Sequence, residues 1–562
     1  MSNPSVYEQK IWLDAYETGI KPELDYQDVL VTEYLEESAK QFPDHPALIF
    51  QGYTQTYSEL NEMVGRFAAV LKNFGIKKGD SVAILLPNVI PCVVAYYATL
   101  KIGAVVVLNN PLYSDRELEH QFTDSHSKVL ITLDLLADRM VKLRKKTAIK
   151  QIVYTSIGDF LPFVKRLLFP FVAKKKRLAA DVKPAPDLYK FKDLMAKYEP
   201  DYTPADVAID DVAMFQYTGG TTGVSKGVIL THKNVSYQVQ QLIGWFPSFK
   251  KGEEVMLGAL PIFHVFGMST SMNLAIRMGW SNVLVPKPQP ASLLEAISKF
   301  KVTFAPMVPT MYIGILDHPD MPNTDLTSIK GCFSGSAPLP VEVINNFQDK
   351  TGSIIVEGFG LTESTPVTHV NPYKGTRKAG SIGLPIADTI CKIVDIDDHT
   401  KQMPVGEPGE LLIKGPQVMQ GYLNNPEETA KAITKDGYLC TGDVAKMDEE
   451  GFFFIVDRIK DMIISGGYNV YPRDIDEVLF EHPKILEACC IGIPHPKRGE
   501  AVKAFVILKD GETMTEQEVI DYCATQLAKY KLPIAVEFRQ ELPKSNVGKT
   551  LRKDLRAQEE NN

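Results

Sequence analysis

Basic residues are not in excess: 61 lysines and arginines stand against 69 aspartates and glutamates, for a net charge of -8. A phosphate backbone needs a basic footprint, so nucleic acid is excluded as the main partner. Cysteine is scarce, with seven in 562 residues and no Cys-x-x-Cys spacing. An odd number with one bare adjacent pair, Cys489-Cys490, argues against a disulfide framework and for a reducing compartment. No continuous apolar core follows Met1, since Glu8 and Lys10 intervene before Trp12; no signal peptide is expected, and the expected location is cytoplasmic. Internal repeats, low-complexity tracts and coiled-coil heptads are absent too. One long apolar run exists, Val82 to Leu100, but Pro87, Asn88 and Pro91 break it. A strand at 82–86, a turn, a helix from about 91 to 102 and a strand at 104–108 fit it better than a membrane span, as a buried βαβ unit.

What is present is length and alternation. A chain of 562 residues exceeds one compact core, and length alone suggests roughly three or four domains. From about 28 to 150, and again from Asp206 to about 385, helix-like stretches alternate with short Val/Ile runs, which predicts an α/β fold with parallel sheets under covering helices. Between about 388 and 457 short strands such as 410–413 and 452–455 are separated by Gly/Pro turns, predicting a β-rich subdomain. Beyond Asp457 the charged junction 458–461 precedes about 100 residues with their own strand signals at 485–493 and 502–508, read as a separate C-terminal domain over 462–562.

Residues 217–227, Tyr-Thr-Gly-Gly-Thr-Thr-Gly-Val-Ser-Lys-Gly, point to a polyphosphate ligand. Gly219, Gly220 and Gly223 allow left-handed turns and close approach, while Thr218, Thr221, Thr222, Ser225 and Lys226 offer donors to phosphate oxygens. The loop is not a P-loop, because Lys226-Gly227 runs into the strand-like Val228-Ile229-Leu230 instead of a helix. Gly548-Lys549-Thr550 fails as one because Pro543 stands where its first glycine belongs.

With that loop, four further segments, 359–363 (Phe-Gly-Leu-Thr-Glu), 438–443 (Tyr-Leu-Cys-Thr-Gly-Asp), 457–461 (Asp-Arg-Ile-Lys-Asp) and 543–549 (Pro-Lys-Ser-Asn-Val-Gly-Lys), occur in the order seen in adenylate-forming enzymes. The chain resembles an acyl-CoA synthetase over nearly its whole length, and most resembles the long-chain fatty-acid–CoA ligases. The resemblance implies a large N-terminal domain, 1–457, of two sandwiched α/β sheet subdomains plus the β-rich subdomain, and a small mobile α+β C-terminal domain. It implies ATP, Mg²⁺ and coenzyme A as cofactor and co-substrates, with a fatty acid as acyl donor. The chemistry is adenylation: a carboxylate attacks the α-phosphate of ATP and expels pyrophosphate, and a thiol then displaces AMP from the acyl-AMP. Two anions meet at one phosphorus, so catalysis is largely charge neutralisation and alignment.

Residue by residue, the resemblance makes Lys549 the catalytic lysine and His264, in Phe263-His264-Val265, the residue positioning the acyl carboxylate. Taken alone, Lys549 is an ordinary solvated lysine and His264 an ordinary core histidine. Glu363, with Thr222 at the phosphates, is the expected magnesium partner, since that ion usually takes one or two carboxylates; a helix-start cap is the competing reading. Gly358, Phe359, Gly360 and Thr362, with the small-residue turn Gly335-Ser336-Ala337, are expected around adenine, Phe359 supplying a flat apolar face. Asp443 is expected to accept from both ribose hydroxyls, and Arg458 to make a second nucleotide contact. Lys460 matches the hinge, and Gly466, Gly467 and Tyr468 the passage for pantetheine, with a plain Gly-Gly turn as the alternative.

Departures from the pattern bear on the substrate. Met268 stands where some long-chain members have a gating tryptophan, and Tyr438 and Cys440 where tryptophan and histidine are frequent. Aryl-acid and medium-chain CoA ligases, a carrier-protein acylating enzyme and, from another class, a phosphoryl-transfer ATPase stay open. Oligomeric state is not legible; a homodimer is one alternative. In 161–177, Leu161, Phe163, Leu167, Leu168, Phe169 and Phe171 lie among Lys165-Arg166 and 174–177 (Lys-Lys-Lys-Arg). Peripheral membrane contact and a solvated surface helical hairpin are both open there.

Overall fold

The computed structural model describes residues 5–560 apart from 177, 219–224, 466–467 and 546–549. Its strands form four sheets. The expected βαβ unit is present: strands Ser81–Leu85 and Val105–Leu108 pair in parallel on either side of helix Ile90–Lys101. Pro91 sits in the first helical turn, where the proline nitrogen costs no hydrogen bond. All twelve residues of that helix are buried, which is why it reads as an unbroken apolar run and not as a stripe. No helix among the described residues is long and apolar enough to cross a membrane.

The unit lies in an eight-stranded sheet ordered Gly421–Tyr422, Gly227–Thr231, Val212–Tyr217, Val105–Leu108, Ser81–Leu85, Val129–Leu133, Gln151–Thr155, Leu188–Lys190. A nine-stranded sheet runs Leu384–Pro385, Val367–Val370, Ile354–Gly360, Gly331–Ser334, Phe304–Met307, Val255–Gly258, Ser281–Leu284, Pro46–Phe50, Tyr53–Thr56. The two α/β stretches of sequence therefore exchange strands. Pro46–Phe50 lies parallel to Ser281–Leu284, with Leu48 opposite Asn282, and Val212–Tyr217 lies parallel to Val105–Leu108. Alternation assigns an element its type; the edge it joins is decided by residues far away in sequence. One apolar cluster, extending from Tyr7 to Phe453, spans both sheets and cements them.

The β-rich region is a four-stranded antiparallel sheet of Ile390–Val394, Gly409–Lys414, Leu439–Met447 and Phe453–Arg458, as its Gly/Pro-punctuated pattern predicts. Beyond it, Ile463–Ser465, Tyr468–Val470, Ile485–His495, Gly499–Leu508 and Ala535–Phe538 make a fourth sheet. Its apolar faces form clusters of their own, Ile463 to Val536 on one side and Cys489 to Leu555 on the other. Residues 163–176 form one helix and not a hairpin: the backbone continues helically through Pro170.

Candidate active site

The loop expected to take a polyphosphate leaves and re-enters the eight-stranded sheet at one point. Tyr217 is paired with Gly227, and the Thr218 amide donates to the Lys226 carbonyl at 3.0 Å. A Cβ on Gly227 would stand 3.2 Å from the Tyr217 ring and 3.3 Å from Leu423, so glycine lets three chains close here. The expected strand after Lys226 is present. Gly219, Gly220, Thr221, Thr222 and Gly223 lie outside the described residues.

Lys226 reaches across to the short strand Gly421–Tyr422. Its Nζ lies 3.0 Å from the Glu428 carboxylate and 4.2 Å from the centroid of the Tyr422 ring. Lys431 and then Lys226 hold the Glu428 carboxyl down at about 2. The Tyr422 hydroxyl, kept protonated by burial and by Glu363, donates to Glu363 Oε1 at 2.8 Å. Glu363 sits in the 3₁₀ turn Thr362–Ser364, and its carbonyl accepts from the Met419 amide at 2.8 Å. Capping in that turn uses Ser364, whose Oγ accepts from the Leu361 amide at 3.1 Å. The sequence-predicted Lys226 and Glu363 are thus joined through Tyr422, with Glu428 pairing Lys226 alongside; no local pattern singles out either residue.

On the neighbouring side, parallel strands Gly331–Ser334 and Ile354–Gly360 end together, the carboxyl-end location where open α/β sheets bind ligands. Gly335, Ser336 and Ala337 continue from the first, with Ser336 at a φ of 72°. A Cβ on Gly335 would stand 3.1 Å from the Phe266 ring, one on Gly358 2.3 Å from the Phe333 ring, and one on Gly360 1.8 Å from the Pro366 carbonyl oxygen. Phe359 is half-buried and packs edge-on to His369 at 6.1 Å, which packs edge-on to Phe453 at 4.8 Å. This aromatic line links the expected adenine side to strand Phe453–Arg458. Glu357, on the same strand as Phe359, accepts from the Leu339 amide at 3.2 Å, and burial pushes its carboxyl up to about 7.

Asp443 lies opposite Arg458 in the four-stranded sheet and is 2% exposed. Its Oδ1 is 2.9 Å from Arg458 Nε, whereas its Oδ2 is buried with no hydrogen-bond partner among the described residues. Of the two oxygens expected to meet a ribose, one therefore already holds Arg458, the other residue expected at the nucleotide. Glu410, unnoticed in the sequence, braces the turn before Asp443. Its Oε1 accepts from the Gly442 amide at 2.9 Å and its Oε2 lies 2.7 Å from His399 Nε2. Cys440 joins this group, Sγ 3.9 Å from His399 Nδ1, with its thiol pushed up to about 11 by burial.

His264 Nδ1 accepts from the Phe266 amide at 3.2 Å, and burial lowers its pKa to about 4. The ring is therefore neutral at pH 7 and presents Nε2–H as a donor. Residues Gly267–Asn273 form a π-helix, buried throughout. Met268 is locked there by the Asn273 amide at 2.9 Å and the Tyr96 hydroxyl at 3.5 Å, and Ser269 Oγ donates to the Thr365 carbonyl at 2.7 Å, tying this turn to the Glu363 segment.

The C-terminal region meets the site through its junction. Asp457 Oδ2 accepts from the Arg473 amide at 2.8 Å, Arg473 Nη1 donates to the Ile455 carbonyl at 2.6 Å, and Asp461 lies 2.9 Å from Arg556. Lys460 sits exposed in the 3₁₀ turn Ile459–Asp461. Tyr468 stacks on Tyr530 at 4.6 Å, paired in register with Ser465; Gly466 and Gly467 between them lie outside the described residues. Lys549 does too, but the chain on either side is held together by the Leu551 amide on the Pro543 carbonyl at 2.8 Å and a bridge between Lys544 and Thr550.

Residues 35–423 match the family model described as AMP-binding enzyme, and 474–549 match the AMP-binding enzyme C-terminal domain. The chain is 44% identical over 556 residues to a long-chain-fatty-acid–CoA ligase of Bacillus subtilis, covering 99% of each chain. It is 39% identical over 555 residues to the enzyme of that name from Escherichia coli, covering 98% of each. Among solved structures, ATP-bound MatB from Rhodopseudomonas palustris superposes with a TM-score of 0.83 at 29% identity, covering 94% of this chain and 99% of that one. A Mycobacterium tuberculosis fatty acyl CoA synthetase does so with a TM-score of 0.69 at 29% identity, covering 94% and 98%.

Proposed function

The chain belongs to the AMP-binding enzyme family, among its adenylate-forming acyl-CoA ligases, and from that premise we propose that it couples a long-chain fatty acid to coenzyme A at the expense of ATP. The substrate class follows its relatives named as long-chain ligases. One geometric observation carries the nucleotide half of the reading: a buried carboxylate oxygen, Asp443 Oδ2, stands beside Arg458 without a hydrogen-bond partner among the described residues. Burying an acceptor unsatisfied costs about 1–3 kcal/mol. A ribose hydroxyl donating to that oxygen removes the penalty.

Around it each residue has work to do. Phe359 and the Gly335–Ala337 turn take the purine. Thr218, Lys226 and the loop between them take the phosphates. Glu363 suits magnesium, because its carboxylate is a hard oxygen donor oriented by Tyr422 through one oxygen. Such an ion, held by Glu363, would supply positive charge to offset that of the phosphates. His264, neutral, donates to the substrate carboxylate and removes no proton, since a carboxylate has none to lose at neutral pH. Lys549 brings a positive charge to the carboxylate oxygen and the α-phosphorus as the new O–P bond forms and the bond to pyrophosphate breaks. In the second half-reaction the thiol sulfur attacks the acyl carbon and AMP leaves; rotation about Lys460 exchanges Lys549 for the 465–468 segment. Seven free cysteines suit a reducing, cytoplasmic setting.

A panel of carboxylic acids of graded length, with aryl acids beside them, incubated with ATP, Mg²⁺ and CoA tests the reading. Pyrophosphate, AMP and thioester appear in equal amounts, fastest with long chains. Faster turnover of an aryl acid overturns the substrate class; release of ADP and orthophosphate overturns the reaction.

A further inference from the structure

Helix Phe163–Lys176 stands out from the body. Among the described residues, Phe163, Val164, Leu167, Leu168 and Phe171 are 54–78% exposed, the densest group of large exposed apolar side chains on the chain. At 3.6 residues per turn these five fall within an arc of about 140°. Ala173, buried, and Phe169, half-buried with its ring against Gly158, fall on the opposite side and seat the helix on the protein. Leu161 is buried ahead of the helix and takes no part in the outward face. Lys165 and Arg166 project on the two flanks between these faces: Lys165 donates to the Gln51 carbonyl at 2.9 Å, and Arg166 lies 5.8 Å from the Phe163 ring. Its sequence holds no aspartate or glutamate, and it ends in three lysines. The side chains of 174–177 lie outside the described residues.

From this geometry we infer that the outward face of helix Phe163–Lys176 docks the protein on an anionic phospholipid surface, lying in the interface with its five apolar side chains among the acyl chains and Lys165 and Arg166 at the headgroups. Fourteen residues extend about 21 Å, short of the roughly 30 Å hydrocarbon core, so the helix lies on the bilayer and does not span it. Basic flanks with no acidic counterweight select an anionic lipid over an apolar protein groove, and a second copy of the same helix brings like charge against like charge. The inference stands apart from the ligase reading, since it needs no nucleotide and no acyl transfer.

The test is co-sedimentation of the full-length chain with extruded vesicles, either of phosphatidylglycerol or of phosphatidylcholine. Wild type pellets with phosphatidylglycerol, and the combined Phe163→Ser, Leu167→Ser, Phe171→Ser variant binds at least about tenfold more weakly. A Lys165→Gln, Arg166→Gln variant loses the preference for phosphatidylglycerol. Both variants retain wild-type turnover of a short, water-soluble carboxylate to within about twofold, as expected of surface changes that leave the fold intact. Wild type that stays in the supernatant with phosphatidylglycerol overturns the inference, as does a triple variant that pellets like wild type. A wild-type dimer that the triple substitution converts to monomer, without pelleting, assigns the face to self-association and also overturns it. Absence of acyl-CoA formation sinks the ligase reading and leaves the pelleting result untouched.

Discussion

Two buried aspartates, each paired with an arginine, show how differently the two parts of the chain use the same chemistry. Asp476, 7% exposed in the C-terminal sheet, is fully engaged: Oδ1 accepts from the Cys490 amide at 2.7 Å, and Oδ2 accepts from Arg552, whose Nε donates to the Cys490 carbonyl at 3.1 Å. Asp443, 2% exposed in the four-stranded sheet, has one oxygen on Arg458 and the other on no hydrogen-bond partner among the described residues. A closed network holds structure; an open one keeps an acceptor for a molecule that arrives later. Asp476 thus serves the packing of its own sheet, and Asp443 is the one we propose for ligand recognition.

The sharpest break of that contrast is Asp476→Ala, which leaves Arg552 with the more distant Asp461 carboxylate, at 3.9 Å, in place of its close partner and costs about 3 kcal/mol of folding stability. Urea unfolding measures it, and an unchanged midpoint contradicts the structural role. Next in size, Lys549→Ala lowers acyl-AMP formation about a hundred- to a thousandfold while sparing thioester formation from supplied acyl-AMP. Rapid-quench assays of the two half-reactions decide it, and equal loss in both defeats the domain rotation.

Glu357 offers a third buried carboxyl, raised from 4.5 to about 7 by burial. Between those values the folded state binds more protons than the unfolded, so this group's contribution is fully present below about 4.5 and falls away as pH rises through 7, by up to about 3 kcal/mol. Urea titrations of wild type and Glu357→Gln across that window show the variant gaining on wild type as pH rises; parallel curves refute the burial effect. Asp443→Asn gives the smallest change: kcat/KM for ATP falls about ten- to a hundredfold with little movement of the urea midpoint. A large midpoint shift makes Asp443 structural, like Asp476.

Much of this was legible in the sequence, for reasons that differ by residue. The βαβ unit at 81–108 follows from proline placement and unbroken apolar runs, and the strand after Lys226 from three consecutive apolar residues. Asp443 and Glu363 are reached through ordered motifs, not local chemistry. Tyr422 and Glu428 are invisible because their importance is a matter of pairing: the two-residue strand Gly421–Tyr422, far downstream, lies against Gly227–Thr231 and brings Tyr422 to Lys226, and the helix Pro426–Ala432 that follows brings Glu428. Strand exchange between the two large sheets was hidden for the same reason. The motif makes Arg458 an expected nucleotide contact; an isolated sequence does not show that an antiparallel partner, Asp443, stands directly across the sheet.

The central claim is that a carboxylate oxygen attacks the α-phosphorus of ATP. Supplying a long-chain fatty acid with isotopically labelled carboxylate oxygens, together with ATP and CoA, and weighing the products by mass spectrometry tests it directly. The account predicts that one labelled oxygen appears in AMP, with pyrophosphate unlabelled; label in orthophosphate alongside ADP contradicts it.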